Sequence, residues 1–386
     1  MPTGRETLES APDVSGSSRF PRRDFILLPA ISFATIVAMF AGAELGTRIF
    51  WPAQSDDSCS IRGALENKPN CTATGKAAEG PLTTYHYNEC GYRTNDSCGP
   101  KPPGAFRICV LGTSVSEGFN VPYDQTFTSS AAHEIGRAAG RTVQVENLAF
   151  ENLSPLQCYR RLPAALGLRP DLVIYAVSPF DLEQPIDPAQ LADRNNPAKS
   201  DVAPTMQFKD SWTGRMRQML MNNSRAILIA QHFLFSNPET FLRVYLAHSD
   251  TGYLQQPANP AWRLRYSNFE LIIGDMASRT RQRGVPLFIM AVPSRAQAAL
   301  FSPEARLTST DPFAFGASLR TICEKTGAVY VDSLEEFSQT PHAERLFYVV
   351  DSHVNSDGHA LLSRALVRSA LNGSIPSLIT GGRQLN

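Results

Sequence analysis

The segment that most constrains the fold is FRICVLGTSVSEGF, residues 106–119. Its apolar part is short, partly β-branched and closed by Gly112, a pattern that predicts a buried strand. The small residues Gly112, Thr113 and Ser114 allow a tight turn at the carboxyl end of this strand, where open α/β sheets bind their ligands. A serine on such a turn can present its hydroxyl to a substrate beside backbone N–H groups. The alternative interpretation is a turn without chemistry.

A second informative segment, FYVVDSHVNSDGHALLSRAL, occupies residues 347–366. Asp351 and His353 follow a short apolar run and precede a helical pattern, which places His353 on a loop. A carboxylate can hold an imidazole in the tautomer whose other nitrogen accepts a serine proton. Ser114, His353 and Asp351 therefore form a candidate Ser-His-Asp set. The alternative is a solvated surface histidine, and the later His359 is interpreted as structural.

The rest of the chain alternates between strand and helix patterns. Strands are predicted near residues 142–146, 171–177, 286–292 and 328–331, and helices near residues 126–139, 155–166, 267–283 and 313–326. This alternation predicts an α/β fold with a parallel sheet and crossover connections. Arg295 follows one of these strands; we interpret it as an exposed loop arginine, with contact to an anionic substrate as the alternative.

Residues 183–265 break the alternation and are predicted to form a helical insertion. A methionine-rich stripe (Met216, Met219, Met221) stands at helical spacing and is interpreted as core. Long insertions beside strand ends often shape a binding site, so we expect this insertion to cap the substrate site. A second membrane contact is the alternative.

The amino-terminal region predicts a membrane anchor. Residues 1–24 are expected to be a disordered cytoplasmic tail, and residues 25–45 a transmembrane helix, because residues 25–43 contain no charged side chain. A signal peptide and a buried core helix are the alternatives. Three arginines before the apolar run (Arg19, Arg22, Arg23) orient the remaining chain outward. Residues 46–84 are predicted to be a linker, residues 85–376 the catalytic domain and residues 377–386 a tail.

The charge balance and the cysteines indicate which partners and which cellular compartment to expect. The 36 basic and 36 acidic residues balance, so no charge pattern favours nucleic acid. Of the seven cysteines, four lie in polar loops as two near pairs, Cys59 with Cys71 and Cys90 with Cys98. Local disulfides would fit an oxidising compartment, although sequence does not give the connectivity, and a zinc site is the alternative.

Several blocks together resemble the SGNH/GDSL hydrolase family, in its membrane-anchored bacterial form. LGTSVSEGFNVPYDQTF is similar to the first block and DSHVNSDGH to the last, in which an Asp and a His precede N-x-x-G. The stretch ENLAFENLSPLQCYRRLPAALGLRPDLVIYAVSPFDL resembles the second and third blocks, and YHYNECGYR a lead-in of anchored members. The resemblance implies a three-layer α/β/α, flavodoxin-like fold and a serine esterase without cofactor or metal.

The chain departs from the family pattern around the oxyanion hole. Thr113 stands where the family has Asp, and Asn152 aligns with the oxyanion-hole glycine; Asn tolerates left-handed dihedrals. In the third block Phe180 replaces the Asn whose side chain would donate to the oxyanion. Losing one such donor costs about 10²–10³ in turnover. The resemblance thus implies an oxyanion and substrate-binding set of Gly112, Asn152, Ser178 and Phe180, with Asn152 or Ser178 as the substitute donor.

These observations predict a single-pass, extracytoplasmic (periplasmic-side) esterase that hydrolyses carboxylic esters, with acetyl or acyl groups on envelope polysaccharide or lipid as the expected substrates by family analogy. The partners are then an ester substrate, either a small molecule or a glycan, and the membrane. One alternative is an acyl- or acetyltransferase that needs a polysaccharide-modification partner. Another is an inactive glycan-binding or assembly protein on a hydrolase scaffold.

Overall fold

The computed structural model describes residues 23–54, 56–61, 64–183, 186, 188–193, 223–301, 310–375 and 378. The chain divides into two compact units, Met1–Phe50 and Trp51–Asn386. The predicted tail at residues 1–24 lies almost entirely outside the described residues, as does the tail at residues 377–386, and neither prediction is tested.

The first unit contains one long helix, α1 (Asp24–Phe50). Its stretch Phe25–Phe50 contains an 18-residue window with a mean hydropathy of 2.2 and is long enough to cross a membrane, a test that an amino-terminal signal sequence would also pass. The helix extends beyond the predicted end at residue 45. Apolar residues continue to Phe50, and the charged pair Glu44–Arg48, one helical turn apart, is compatible with a continuous helix.

The second unit is built on a parallel five-stranded sheet. In chain order the strands of this unit are β1 (Ser60–Ile61), β2 (Glu66–Asn67), β3 (Thr72–Lys76), β4 (Leu82–His86), β5 (Phe106–Leu111), β6 (Val143–Asn147), β7 (Leu172–Val177), β8 (Leu287–Ala291) and β9 (Val329–Val331). The large sheet has the order β6-β5-β7-β8-β9 with every neighbour parallel. This is the flavodoxin-like order 2-1-3-4-5, whose switch point lies between β5 and β7.

Helices cover both faces of this sheet. They are α2 (Ser114–Glu117), α3 (Phe127–Ala139), α4 (Pro155–Arg160), α5 (Leu162–Gly167), α6 (Pro179–Glu183), α7 (Pro188–Ala192), α8 (Arg225–Phe235), α9 (Pro238–His248), α10 (Pro260–Arg281), α11 (Arg295–Leu300), α12 (Ala314–Thr326), α13 (Leu334–Ser338) and α14 (Ser356–Ser369). Short 3₁₀ turns occur at Tyr123–Gln125, Gly252–Leu254 and Ala343–Leu346, and a π-helical turn at Ala370–Ser374. Helix α3 packs against α14, whereas α10 packs against α12 and α4. The predicted three-layer α/β/α fold is confirmed.

Burial explains why β7 is apolar throughout and why β5 is apolar except for the buried Arg107. Every residue of β5 and β7 is buried, because helices cover both faces of a parallel sheet. The predicted helix at residues 155–166 is instead two short helices, since Pro163 cannot donate a backbone hydrogen bond to a continuing helix. Helix α10 starts earlier than predicted, at Pro260, where the Asn259 side chain accepts from the Trp262 N–H at 2.9 Å.

The predicted insertion at residues 183–265 is described at residues 183, 186, 188–193 and 223–265, and helix α7 lies in its first part. Helices α8 and α9 lie within it, while the methionine stripe falls outside the described residues. Its neighbour in the chain, α10, belongs to the layer that covers the large sheet and buries Trp262 and Phe269 completely. The prediction of helical structure in the insertion is confirmed for α8 and α9.

The predicted linker at residues 46–84 is wrong for the part that the structure describes. Residues 46–50 belong to α1, and the later residues form two antiparallel hairpins, β1–β2 and β3–β4. A disulfide joins Cys59 to Cys71, and Cys59 is buried with Ala73 and Tyr87. A second disulfide joins Cys90 to Cys98, so the zinc alternative for these four cysteines is contradicted. Polar composition concealed this segment because its order comes from a ladder and cross-links instead of a large apolar core.

These disulfides predict a definite thiol count. The remaining cysteines, Cys109, Cys158 and Cys323, are buried as free thiols. When the protein is made in an oxidising compartment and denatured without reductant, we expect thiol titration to detect three of the seven cysteines. After reduction the same titration should detect all seven. A count of seven before reduction would contradict both cross-links.

Candidate active site

The turn after β5 presents Ser114 at the switch point of the sheet. Gly112 has φ +151°, and a Cβ on it would lie 2.1 Å from Ser116 Oγ and 3.0 Å from the Ala176 carbonyl oxygen. Glycine is therefore favoured by the positive φ and by the close approach of the Ser116 side chain and of the Ala176 carbonyl in β7. Gly112 does not line the cavity described below, and its predicted role in oxyanion or substrate binding stays a prediction. Its function is to shape the turn that exposes Ser114.

A buried carboxylate fixes this turn to the end of β7. Asp181 accepts from the Thr113 hydroxyl at 2.6 Å, and from the backbone N–H and hydroxyl of Ser178 at 2.6 and 2.9 Å. Burial raises the pKa of Asp181 even though these hydrogen bonds oppose the shift. Thr113 suits the position because a second carboxylate there would repel Asp181. Ser178 spends both donors on Asp181, so its predicted role as a substitute oxyanion donor is wrong.

The loop at the other end of the domain brings its two predicted residues to Ser114. Ser352 has φ +64°, a left-handed conformation that reverses the chain between Asp351 and His353. The Asp351 carboxylate consequently accepts from the His353 backbone N–H at 3.2 Å and lies 2.5 Å from His353 Nδ1. His353 Nε2 lies 2.7 Å from Ser114 Oγ. The structure thus joins all three predicted catalytic residues in one hydrogen-bonded chain.

The charges around His353 favour its protonated form. Burial alone would lower the pKa of His353, but the hydrogen bond and charge of Asp351 outweigh it, with Glu151 and Asp181 adding to the effect, and the pKa is raised. Burial likewise opposes ionisation of Asp351, yet its bonds to His353 lower the pKa of that carboxyl. An imidazole that stabilises a proton in this way is suited to accept one from the Ser114 hydroxyl.

Two backbone N–H groups remain for an oxyanion. Asn152 has φ +56°, the left-handed conformation expected where a glycine would otherwise stand, and its side chain is exposed. Within the described part of the chain, neither the Ser114 nor the Asn152 backbone N–H donates a hydrogen bond. Both residues line the same cavity. The arrangement matches the predicted use of Asn152, although the role itself stays a prediction.

The cavity beside Ser114 has a volume of about 350 Å³. Its polar wall includes Ser178 and His353, and Tyr245 of helix α9 brings the insertion into the site. Phe180 lines the cavity with 40% of its surface exposed. The remaining apolar lining is Val115, Leu153, Val292, Pro293 and Val354. The volume and lining suit a short acyl chain.

The YHYNECGYR segment encloses the nucleophile loop. The Arg93 guanidinium, buried and 4.3 Å from the Tyr85 ring centroid, donates to the carbonyls of Glu117 and Gly118 and to that of Val121. The Tyr85 hydroxyl accepts from the Asn120 N–H at 2.9 Å. These contacts give the lead-in block a physical purpose, which is to hold the loop that follows Ser114.

Sequence reasoning missed two aromatic contacts to the loop at residues 348–353. The Phe119 ring packs on the His353 ring with centroids 5.0 Å apart. The Tyr348 hydroxyl donates to the Asn120 carbonyl at 2.8 Å and so links the two catalytic loops directly. Neither residue belongs to a motif that spacing alone would reveal.

Two other predicted residues have clear positions. Arg295 is buried at 2% exposure, which contradicts the exposed-loop interpretation; its guanidinium donates to the Val349 and Phe235 carbonyls. It does not line the cavity, so contact with an anionic substrate is not supported either.

His359 is fully buried, accepts from the Phe127 N–H at 3.0 Å, and has its pKa lowered to about 3 by burial. The structural interpretation of His359 agrees with these contacts.

No protein-family model and no curated protein matches the sequence. Among solved structures, the chain is similar to Axe2, an acetylxylan esterase from Geobacillus stearothermophilus, at 11% identity and a TM-score of 0.39, over 68% of this chain and 93% of that one. It is also similar to a lipase/acylhydrolase from Enterococcus faecalis at 11% identity and a TM-score of 0.38, over 69% and 95% of the two chains. TesA matches at 11% identity and a TM-score of 0.37, over 69% and 98%. Similarity at this level carries no weight for function, which depends on the site geometry above.

The charges of the site predict the acid limb of a pH profile. His353 must be neutral to accept a proton, so its raised pKa means that kcat/KM rises with pH through a value above the ordinary 6.5. Asp351→Asn removes the neighbouring charge and should move this limb to lower pH while kcat falls by about 10⁴. Asp357→Asn, an exposed carboxylate in the next helix, serves as the control and should leave the profile in place. An unchanged limb in Asp351→Asn would exclude Asp351 as the partner of His353.

Proposed function

We propose that the protein is a serine esterase that cleaves carboxylic esters of short acyl groups. The observation that supports this most is the hydrogen-bonded chain from Ser114 Oγ through His353 to Asp351, with distances of 2.7 and 2.5 Å. The cavity beside Ser114 and the two unpaired N–H groups at its edge complete the requirements for acyl transfer.

The chemistry proceeds in two halves. His353 Nε2 takes the proton of Ser114 as the serine oxygen bonds to the ester carbonyl carbon, and Asp351 stabilises the imidazolium. The oxyanion lies against the Ser114 and Asn152 N–H groups. The bond from carbonyl carbon to alcohol oxygen then breaks, and His353 returns the proton to the departing alcohol. Water, deprotonated by His353, releases the acid from the acyl-enzyme and restores the serine.

A larger groove of about 940 Å³ supports a polar alcohol as the second part of the substrate. Asp351 lines both this groove and the cavity, so one ester can occupy the two together. The ionisable residues along the groove are Asp56, Asp57, Glu79, Glu117, Glu151 and Asp351, against Lys76 and Arg225. Burial raises the pKa of Glu151 and raises that of Glu117 to about 7, so the remaining carboxylates carry most of the negative charge. This excess of carboxylates disfavours anionic alcohols. Uncharged, hydroxyl-rich alcohols such as neutral sugars fit the groove better than phospholipids do.

The proposed location is the outer side of a membrane. Helix α1 supports an anchor, and the arginines before it favour an orientation with the second unit outside. The disulfides Cys59–Cys71 and Cys90–Cys98 fit an oxidising compartment. An esterase anchored there would act on acyl groups of envelope polysaccharide, alone or with an envelope polysaccharide-modification partner.

One observation favours a second candidate function. Phe180 stands where a side-chain donor is expected, so the oxyanion has backbone donors alone. A protein in which this loss had abolished turnover would bind acylated glycans without cleaving them. The intact geometry at Ser114 and His353 is what makes the esterase the preferred function.

A fluorophosphonate probe tests the nucleophile. The second unit, from Trp51 onward, should be labelled, and Ser114→Ala and His353→Ala should each abolish labelling and the hydrolysis of p-nitrophenyl acetate. Ser116→Ala is the matched control, because this hydroxyl two residues away makes no hydrogen bond in the described part of the chain. A folded protein that neither labels nor cleaves esters would refute the esterase and leave glycan binding as the function to test.

Phe180→Asn tests the missing donor. An amide at this position can add a hydrogen bond to the oxyanion, and we expect kcat to rise by about 10- to 100-fold with little change in KM. Phe180→Leu changes the size without adding a donor and should not increase kcat. Equal rates for the two variants would mean that the oxyanion is already satisfied without a side chain from this position.

A further inference from the structure

Glu79 lies in the turn between β3 and β4, in the segment that the sequence presents as a polar linker. Its side chain is only 6% exposed, although it comes from a small hairpin with little core of its own. Buried carboxylates are costly unless they are paired, so the partners of Glu79 account for its position.

Two of those partners belong to the loop at residues 348–353, and the third lies on helix α8. Glu79 Oε2 accepts from the backbone N–H groups of Val350 and Asp351, both at 2.9 Å. Glu79 Oε1 lies 2.6 Å from Nδ1 of His232 on helix α8. One carboxylate therefore joins three parts of the unit, namely the hairpin, the loop that carries Asp351 and His353, and the described part of the insertion.

Arg295 makes the complementary contact from the first position of α11. Its guanidinium donates to the carbonyl of Val349, the residue before the two amides that Glu79 holds, and to the carbonyl of Phe235 at 2.6 Å. It also lies 3.9 Å from the centroid of the Phe241 ring. The loop is thus held by an anion at its N–H groups and by a cation at its carbonyl, and both ions reach α8.

The position of Asp351 determines the position of His353. Ser352 holds a left-handed conformation, and the Asp351 carboxylate binds both the backbone and the ring of His353. A shift of the Asp351 backbone therefore moves Nε2 relative to Ser114. A displacement of about 1 Å in such a site can lower the rate by about 10²-fold.

The hairpins β1–β2 and β3–β4, with the disulfide Cys59–Cys71, are called the hairpin unit. We propose that Glu79 is a positioning residue of the active site, through which this hairpin unit sets the geometry of Asp351 and His353. Glu79 does not touch the reacting atoms; it acts through the backbone of the loop. The inference rests on the proposed esterase function for its kinetic consequence, but its structural part concerns the loop itself.

The test compares Glu79→Ala and Glu79→Gln in the full-length protein. Alanine leaves both loop amides without an acceptor, so kcat for p-nitrophenyl acetate should fall by about 10²-fold while KM changes by less than about threefold. Glutamine keeps one acceptor oxygen and should recover part of the rate, to within about tenfold of the parent. Glu66→Gln, an exposed carboxylate in the same hairpin unit, should behave as the parent.

A second measurement separates this inference from the proposed function. Hydrogen exchange of the Val350 and Asp351 amides should be faster in Glu79→Ala, whether or not the protein is an esterase. If the parent shows no esterase activity but the exchange accelerates, the proposed function fails and the structural role of Glu79 stands. A folded Glu79→Ala with the parent kcat or with unchanged exchange at both amides would overturn the inference. If Glu79→Ala does not fold, Glu79→Gln carries the same two comparisons.

Discussion

The 2.7 Å hydrogen bond between Ser114 and His353 is the contact on which the functional organisation of the second unit depends. The two residues are far apart in the chain, because Ser114 follows β5 whereas His353 comes after β9. Only the strand order of the sheet brings them together. In the order β6-β5-β7-β8-β9, strand β5 comes first in the chain but lies inside the sheet. The turn after β5 therefore faces loops from the carboxyl-terminal part of the chain. A different strand order would separate the serine from the histidine whatever the local sequence.

The parts that sequence could predict are those with a local cause. The runs Ile108–Leu111 of β5 and Leu172–Val177 of β7 are apolar because both faces of the sheet are covered. The turn at Gly112 favours glycine because its φ is positive and because Ser116 and β7 approach it closely. The N-x-x-G pattern after His353 is equally local. Asn355 caps α14 by accepting from the Gly358 N–H at 3.1 Å, and a Cβ on Gly358 would lie 2.6 Å from the Leu346 carbonyl.

The parts that sequence could not predict depend on distant contacts. Ser178 reads as a candidate oxyanion donor until Asp181 is seen to occupy both of its donors. The sequence predicts an exposed loop arginine at Arg295. Its guanidinium is instead buried and donates to the carbonyls of Val349 and Phe235, which lie far from it in the chain. Residues 53–84 lack apolar periodicity, and their order comes from a hairpin ladder and a disulfide. In each case the partner that decides the role is absent from the local pattern.

The amino-terminal hairpin unit and its lead-in explain how a short-stranded sheet can hold two catalytic loops. Arg93 holds the carbonyls that follow Ser114, and Glu79 holds the amides that precede His353. The cation Arg93 thus binds backbone carbonyls, which accept hydrogen bonds, and the anion Glu79 binds backbone amides, which donate them. The Tyr348 hydroxyl closes the arrangement by joining one loop to the other at Asn120. Because hydrogen bonds to charged groups are stronger than neutral ones, these contacts add to the short helix α2 at Ser114 and to the Phe347–Val354 bridge in keeping the triad aligned.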